Sequence, residues 1–146
     1  MQVRAATLAD SDSLALLMSQ LGYPTTPAQM AERLEAVQEN SEYESFVGEI
    51  DGRVVGMIGL RVGRLYELSG PYGQIMILVV VEDMRNRGIG KVLIEAGEIW
   101  LKSQGAGFVM LTSAWTRPDA HRFYERLGYQ STGVCFTKIL GVRGTL

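Results

Sequence analysis

The sequence contains only one cysteine and one histidine among its 146 residues. A single cysteine cannot form a disulfide within the chain, and one cysteine with one histidine cannot supply the four ligands of a structural zinc site. We therefore expect a fold that is stabilised by its hydrophobic core, without a metal. The hydrophobic fraction of 47% is typical of a globular protein.

Long hydrophobic runs and an excess of one charge are also lacking. The longest apolar run, Ile75–Val81, is too short to span a bilayer, and the N-terminal residues do not resemble a secretory signal. The chain has 14 Lys+Arg and 16 Asp+Glu, so its formal net charge is −2, which provides no broad attraction for nucleic acid. We expect a cytoplasmic protein that binds neither membranes nor nucleic acids.

The residue pattern predicts a mixed α/β order in one domain, residues 1–146. Capping residues precede the first two helical segments at Thr7 and Thr26, and Asp51-Gly52 between two apolar runs is typical of a tight hairpin. In order, the predicted elements are strand 2–6, helices ending at residue 22 and starting at residue 27, strands within 44–64, strand 74–81, a helix after residue 90, strand 108–112, helix 119–127 and a strand region 129–140.

Two of these helices have an apolar face that should pack against the sheet. In the helix after residue 90, the expected stripe is Val92, Leu93, Ala96, Ile99 and Trp100. In the helix over 119–127, the inward residues are expected to be Ala120, Phe123, Tyr124 and Leu127.

The stretch from the buried strand into the following helix has the properties of an anion site. Gly88 and Gly90 allow a ligand to approach the backbone closely, and the unpaired N–H groups of the first helical turn add positive potential. Arg85, Arg87 and Lys91 supply cations. A phosphate or pyrophosphate of a nucleotide-like cofactor is the ligand that this turn favours.

Two common phosphate-binding motifs do not fit this turn. A P-loop would require Gly at the position of Arg85 and Ser or Thr at the position of Val92. A dinucleotide fingerprint would require Gly or Ala at the position of Leu93, and it would follow a strand–helix–strand unit rather than a hairpin. The sequence therefore argues against a Walker-type NTPase and against a Rossmann dehydrogenase.

The turn instead resembles a motif of the GCN5-related N-acetyltransferase (GNAT) superfamily. The segment R-N-R-G-I-G, residues 85–90, matches the pattern R/Q-x-x-G-x-G/A, and A-H-R-F-Y-E-R-L-G-Y, residues 120–129, matches a second motif of that superfamily in order and spacing. The resemblance covers nearly the whole chain and is greatest to small bacterial acetyltransferases. It implies a GNAT fold: a central, mostly antiparallel, twisted sheet of six to seven strands, with strands 4 and 5 splayed apart and four flanking helices.

The resemblance also implies the activity and the site. The expected reaction is transfer of an acetyl group from acetyl-CoA to a primary amine of a small molecule, peptide or protein, by direct attack on the thioester and without a metal. The expected acetyl-CoA-binding residues are Leu78, Val79, Val80, Arg85, Asn86, Arg87, Gly88, Ile89, Gly90 and Lys91. Tyr124 is the expected catalytic residue, donating a proton to the leaving thiolate.

Two positions depart from the family pattern. Arg117 stands where relatives often have Asn, and Met76 with Ile77 stand where many relatives have an acid that serves as general base. The base is therefore unassigned, with Glu49, Glu67, Glu82, Tyr66 and Tyr72 as substitutes by rough location. The missing acid leaves open a domain that binds acyl-CoA as a sensor without turnover, and transfer to a hydroxyl group is a third alternative.

Other residues have alternatives of their own. Tyr124 can be a core aromatic residue, His121 is more typical of a surface position than of a base, and Cys135 is expected to be a small core residue rather than a reactive thiol. Trp115 is a candidate for the lining of the acceptor pocket. The acceptor itself is not encoded in a recognisable motif, and the apolar strand edges are compatible with a homodimer.

Overall fold

A five-stranded sheet with the order β1-β2-β3-β4-β5 forms the framework of the protein. The computed structural model describes residues 1–113 and 118–141. Within Met1–Leu111, which form one compact unit, the strands are β1 Gln2–Ala5, β2 Tyr43–Ile50, β3 Arg53–Arg64, β4 Pro71–Val80 and β5 Val109–Met110, and the helices are α1 Ser11–Leu21, α2 Pro27–Gln38 and α3 Ile89–Ser103.

The starts of the first two helices are capped as the sequence predicts. Thr7 and Asp10 form a capping box around a short 3₁₀ turn, Leu8–Asp10, that leads directly into α1. At α2, the Gln29 N–H donates to the Thr26 hydroxyl at 3.2 Å, and the Thr26 N–H donates to the Gln29 side chain at 3.0 Å. These reciprocal bonds satisfy N–H groups that a helix leaves unpaired at its start.

The predicted hairpin is confirmed, and the sheet is antiparallel apart from one pair. Asp51 and Gly52 both have positive φ, 50° and 78°, and Ile50 pairs with Arg53 across this turn. β1 pairs with β2, and β3 pairs with β4, both antiparallel, whereas β4 and β5 are parallel. This is the mixed architecture with a distinctive β4–β5 pair that the resemblance implies.

Helix α3 packs on the sheet through a different face from the one expected. Its buried residues are Ile89, Leu93, Ile94, Gly97 and Leu101, whereas Val92 and Ile99 are 42% and 72% exposed. A Cβ at Gly97 would lie 3.0 Å from Ile58 and from Leu60. The predicted stripe is confirmed at Leu93 and wrong at Val92 and Ile99. Apolar residues lie on more than one side of this helix, so apolarity alone does not show which of them face the sheet.

The opposite face of the sheet is covered by α1 and α2. Met57 alternates with Ile58 along β3, so its side chain lies on the face away from α3, and it is nevertheless buried. Helix α1 contacts β3 and β4, and α2 contacts α1 and β2. The sheet thus has helices on both faces. On the side of α1 and α2, these helices contribute the fully buried side chains Leu14, Leu17 and Leu34.

A second compact unit begins at Thr112 and contains α4, Pro118–Arg126. The strand region expected over 129–140 is wrong, because residues 129–141 are assigned no strand. An apolar pattern specifies a strand only where a neighbouring strand supplies hydrogen-bond partners, and no pairing is formed by these residues. The described sheet therefore has five strands instead of six to seven, and Cys135 is exposed rather than in a core.

The described residues were also compared with the requirements of a membrane-spanning helix and of a metal site. No helix within 1–113 and 118–141 is long and apolar enough to cross a bilayer. Over the same residues, no three His, Cys, Asp or Glu side chains lie close enough together to hold a metal ion.

An ionic network joins the start of the chain to the sheet. The Arg4 guanidinium donates to both oxygens of Asp10, at 2.9 and 2.8 Å, and to Glu49 at 3.2 Å. The Asp10 carboxylate also accepts from the Thr7 N–H at 2.9 Å, and its side chain is only 8% exposed. The hydrogen bonds from Arg4 lower the pKa of the Asp10 carboxyl below its ordinary value of 3.8, against an opposing effect of burial.

We expect Asp10→Asn to lower the free energy of unfolding at neutral pH by about 2 kcal/mol, because it removes the charge that Arg4 faces and leaves Arg4 with Glu49 alone. Since the pKa is lowered in the folded state, this stabilisation is complete above the unfolded-state pKa and is lost as the pH falls through the folded-state pKa.

Urea unfolding of both proteins between neutral and strongly acidic pH measures this difference. The gap between wild type and variant should close on acidification. Asp12→Asn is the matched control, since Asp12 is exposed in the first turn of α1 and its removal should cost only a few tenths of a kcal/mol. A gap that is independent of pH would contradict the assigned role of Asp10.

Candidate cofactor site

Strand β4 contains one residue more than its partner requires. Leu60 pairs with Ile75 and Gly59 pairs with Ile77, so Met76 is an extra residue and forms a β-bulge. Its side chain is 48% exposed.

The bulge reverses the direction of the backbone N–H groups along β4. Before it, the Gly73 N–H donates to Phe108 O at 2.8 Å, on the β5 side; after it, the Val81 N–H donates to Val55 O at 2.8 Å, on the β3 side. Because N–H groups alternate along a strand, those of Leu78 and Val80 point away from β3. Without the extra residue, they would point toward β3.

The edge toward which these groups point has no adjacent strand in the part of the chain that the structure describes. β5 pairs with β4 only through Gly73 and Gln74, and β4 continues to Val80. The stacked rings of Tyr72 and Phe108, whose centroids are 5.8 Å apart, lie where the two strands still run together. The second half of β4 thus presents an open edge, which confirms the expected splayed pair.

The open edge leads directly into the glycine turn and α3. Asn86 and Gly88 both have positive φ, 64° and 82°, and Gly88 is the N-cap of α3 without a side-chain cap. The first helical bond runs from the Val92 N–H to Gly88 O. The N–H groups of residues 89–91 therefore have no partner within the helix and remain available for an anion.

The charges around this turn are arranged to leave cations unpaired. Arg53 binds both oxygens of Asp83, at 3.0 and 2.8 Å, and this pairing, assisted by Arg87, lowers the pKa of the Asp83 carboxyl. Asp83 is thus neutralised by a residue outside the turn. In the described residues, no carboxylate forms an ion pair with Arg85, Arg87 or Lys91.

Arg85 also links the turn to the open edge. Its Nε donates to Val80 O at 3.1 Å, which holds the start of the turn against the end of β4. The rest of its exposed guanidinium remains available for a ligand.

The ten expected acetyl-CoA-binding residues lie on two neighbouring segments of the chain. Leu78, Val79 and Val80 end β4, and residues 85–91 form the turn and the start of α3. Val79 is buried, with 3% exposure, so its contribution is restricted to its backbone. Trp115 and Arg117 lie outside the described residues.

Tyr124 lies on α4 in the second unit. The expected inward stripe of Ala120, Phe123, Tyr124 and Leu127 is half-buried. The helix ends in a glycine motif: the Tyr129 N–H donates to Tyr124 O at 3.0 Å, the Gly128 N–H donates to Glu125 O at 3.0 Å, and Gly128 has φ +92°. This ending packs the Tyr129 ring edge-on against Tyr124, with centroids 5.9 Å apart.

Sequence reasoning missed two features of the site. The bulge at Met76 has no local signal, because an extra apolar residue in an apolar run looks like any other. The Arg53–Asp83 pair joins residues 30 positions apart, so only the fold reveals it.

The five substitutes for the general base differ in environment. Glu49 is engaged by Arg4, and Tyr72 is 9% exposed beneath Phe108. Tyr66, Glu67 and Glu82 are exposed. Glu82 follows the open edge by two residues, and its N–H is held by the Gln20 side chain at 3.0 Å.

A cleft of about 320 Å³ lies at the edge of β2, lined by residues of α2, β2 and α3 that include Val37, Tyr43, Trp100 and Gln104. It contains none of the expected site residues and is separate from the glycine turn.

Comparisons with known proteins show the family of this chain. Residues 13–129 match the family model described as Acetyltransferase (GNAT) family. This chain belongs to that family. It is 34% identical to an aminoalkylphosphonate N-acetyltransferase of Salmonella typhimurium over 95% of this chain and 91% of the relative.

Solved structures of GNAT proteins have the same fold. A GNAT family acetyltransferase of Staphylococcus aureus superposes with a TM-score of 0.82 at 25% identity, covering 95% of this chain and 98% of the other. An aminoglycoside N-acetyltransferase in complex with CoA superposes with a TM-score of 0.84 at 19% identity, covering 96% of this chain and 95% of the other. Acetyl transfer to an amine is the activity that this membership supports, and the GNAT family uses acetyl-CoA.

The glycine turn of this GNAT protein depends on backbone conformation at Gly88. A Cβ there would have no atom within 4 Å, so Gly88→Ala tests the positive φ alone. We expect it to lower the free energy of unfolding by about 1–2 kcal/mol.

Gly107→Ala is the matched control. This glycine also has open space for a Cβ but no left-handed φ, so we expect no loss of stability. Chemical denaturation compares the two variants, and equal effects would show that the conformation of Gly88 is not constrained.

Proposed function

We propose that the open edge of β4 and the turn at residues 85–91 bind acetyl-CoA and that the protein acetylates a small primary amine. The observation that carries this proposal is the continuity of the two parts. Outward N–H groups at Leu78 and Val80 are followed, within one turn, by the free N–H groups of residues 89–91. An extended amide-containing arm that ends in a pyrophosphate matches this sequence of donors.

The proposed chemistry requires few groups from the protein. A neutral amine attacks the thioester carbonyl, and the oxygen that becomes negative accepts from an N–H on the open edge. One such donor contributes about 3 kcal/mol to acyl transfer in other enzymes. The carbon–sulfur bond then breaks, the attacking nitrogen loses one proton to solvent water, and the thiolate takes up a proton.

For that proton we propose Tyr124, as the family resemblance implies. Its support here is local: the aromatic contacts with Phe123 and Tyr129 orient the ring, and the phenol O–H is a proton donor. A thiolate is a base of sufficient strength to accept its proton.

For the acceptor we propose a primary amine that carries an anionic group, with aminoalkylphosphonates as the first class to test. The relative from Salmonella typhimurium supports this choice, since it matches over nearly its whole length.

The match to the family model extends across both compact units, which supports a single acetyltransferase domain over residues 1–146. A non-catalytic acyl-CoA sensor is not favoured, because the curated relative is named as a transferase.

The acetyl-CoA site is tested by Gly90→Glu. Gly90 lies in the first turn of α3, where a carboxylate would repel the pyrophosphate. We expect calorimetric titration to show at least a hundredfold loss of acetyl-CoA affinity.

Val92→Glu introduces the same charge two residues later, about 200° around the helix, at a position that is 42% exposed. It should reduce the affinity far less. Equal affinities of wild type and Gly90→Glu would refute the proposed site.

The role of Tyr124 is tested by Tyr124→Phe, which removes the hydroxyl and keeps the ring. We expect kcat to fall at least about tenfold, as for loss of a general acid, with the affinity for acetyl-CoA retained. Tyr129→Phe is the control for loss of a neighbouring hydroxyl and should leave kcat close to that of the wild type. Thiol release measures both variants, and an unchanged kcat in Tyr124→Phe would exclude the proposed proton donor.

A further inference from the structure

Three half-buried polar side chains form a row across the middle of the sheet. Tyr43 on β2 is directly opposite Arg61 on β3, and Arg61 is directly opposite Gln74 on β4. Residues directly opposite each other in an antiparallel sheet project from the same face. The phenol, the guanidinium and the carboxamide therefore form one row, which we call the Arg61 row.

The Arg61 row has hydrogen-bonding capacity that the protein does not use. Within residues 1–113 and 118–141, none of the three side chains makes a hydrogen bond or an ion pair. Arg4 on β1 is also half-buried, but its guanidinium is paired with two carboxylates, those of Asp10 and Glu49. A guanidinium that is partly removed from water and lacks an anion is a site for an anionic ligand.

The position of the row relative to the proposed cofactor surface indicates that its ligand is the acceptor and not the cofactor. Arg61 follows Leu60, whose side chain meets α3 at Gly97, so the row lies on the face away from α3. The turn for the pyrophosphate is at the start of α3. A cofactor bound there does not occupy the other face, where the Arg61 row is only half-buried beside α1 and α2.

The row is also within reach of the reacting carbonyl. Gln74 precedes Leu78 by four residues, roughly 10–13 Å along the strand, and the intervening Met76 is exposed. A long arginine side chain and a two-carbon amine together span such a distance.

We propose that the Arg61 row is the anion subsite of the acceptor pocket and that it binds the phosphonate or phosphate group of the amine substrate. The inference rests on the proposed acetyltransferase function. Arg61 donates two parallel N–H groups to two oxygens of the anion, and Gln74 and Tyr43 donate to the third terminal oxygen. The row thereby holds the amine end toward the open edge of β4.

The test compares acceptors that differ only in their anionic group. Thiol release from acetyl-CoA is measured with 2-aminoethylphosphonate, O-phosphoethanolamine, β-alanine and n-propylamine. We expect kcat/KM to be higher for the first two than for n-propylamine. Comparing the first two distinguishes a phosphonate from a phosphate ester as the bound group, and a protein that prefers n-propylamine would overturn the proposal.

Arg61→Met should lower the ratio of kcat/KM for the preferred anionic amine to that for n-propylamine by 10- to 100-fold, mainly through KM, as for loss of a charged hydrogen-bond pair. Arg61→Lys keeps the charge and loses the paired donors, so its ratio should be intermediate. Arg64→Met is the matched control, because Arg64 is exposed three residues further along β3 and projects from the other face. An unchanged ratio in Arg61→Met, or an equal fall in Arg64→Met, would overturn the proposal.

Failure of the anion subsite can be distinguished from failure of the proposed acetyltransferase function. If no amine is acetylated although acetyl-CoA binds, the proposed function fails, and the subsite is judged by calorimetric titration of the CoA-bound protein with 2-aminoethylphosphonate. Binding that is lost in Arg61→Met and kept in Arg64→Met supports the subsite. Absence of binding to the wild type overturns it.

Discussion

Strand β4 has a hydrogen-bonding partner along its full length on one side only, and the rest of the site depends on this asymmetry. On the β3 side the ladder extends to Val80, whereas on the β5 side it ends at Gln74. Unpaired backbone groups on a sheet edge ordinarily attract another strand. Here, the bulge at Met76 places the N–H groups of Leu78 and Val80 on the unpaired side, beside a cationic turn, so that the edge is suited to an extended ligand instead.

The local structure of this protein was predictable wherever one or two residues determine it. Thr26 with Gln29 specifies the start of α2, Asp51 with Gly52 specifies a hairpin, and Gly88 specifies a left-handed N-cap. In each case the side chain, or its absence, acts on the backbone next to it. The family motifs extend this local information to the proposed acetyl-CoA surface, because its residues lie in two short segments of the chain.

Features that depend on distant partners were not predictable in the same way. The face of α3 that meets the sheet includes Gly97, which lies against Ile58 and Leu60 of another element. The apolar residues over 129–140 were interpreted as a strand because their pattern does not reveal whether a neighbouring strand is present. The Arg61 row likewise exists only through register, since residues 43, 61 and 74 are unrelated in the chain until the strands align them.

The close contact of Gly97 with the sheet fixes the distance between the two ends of the proposed acetyl-CoA surface. Because a helix without a side chain at this position lies directly on Ile58 and Leu60, α3 cannot slide or tilt without losing dense packing. The N–H groups at the start of α3 are therefore held at a constant separation from those on the open edge of β4. At the proposed site, a donor whose arm is shorter than that of CoA would reach one end of this surface but not both, so that packing in the core, remote from any ligand, would select acyl donors by length.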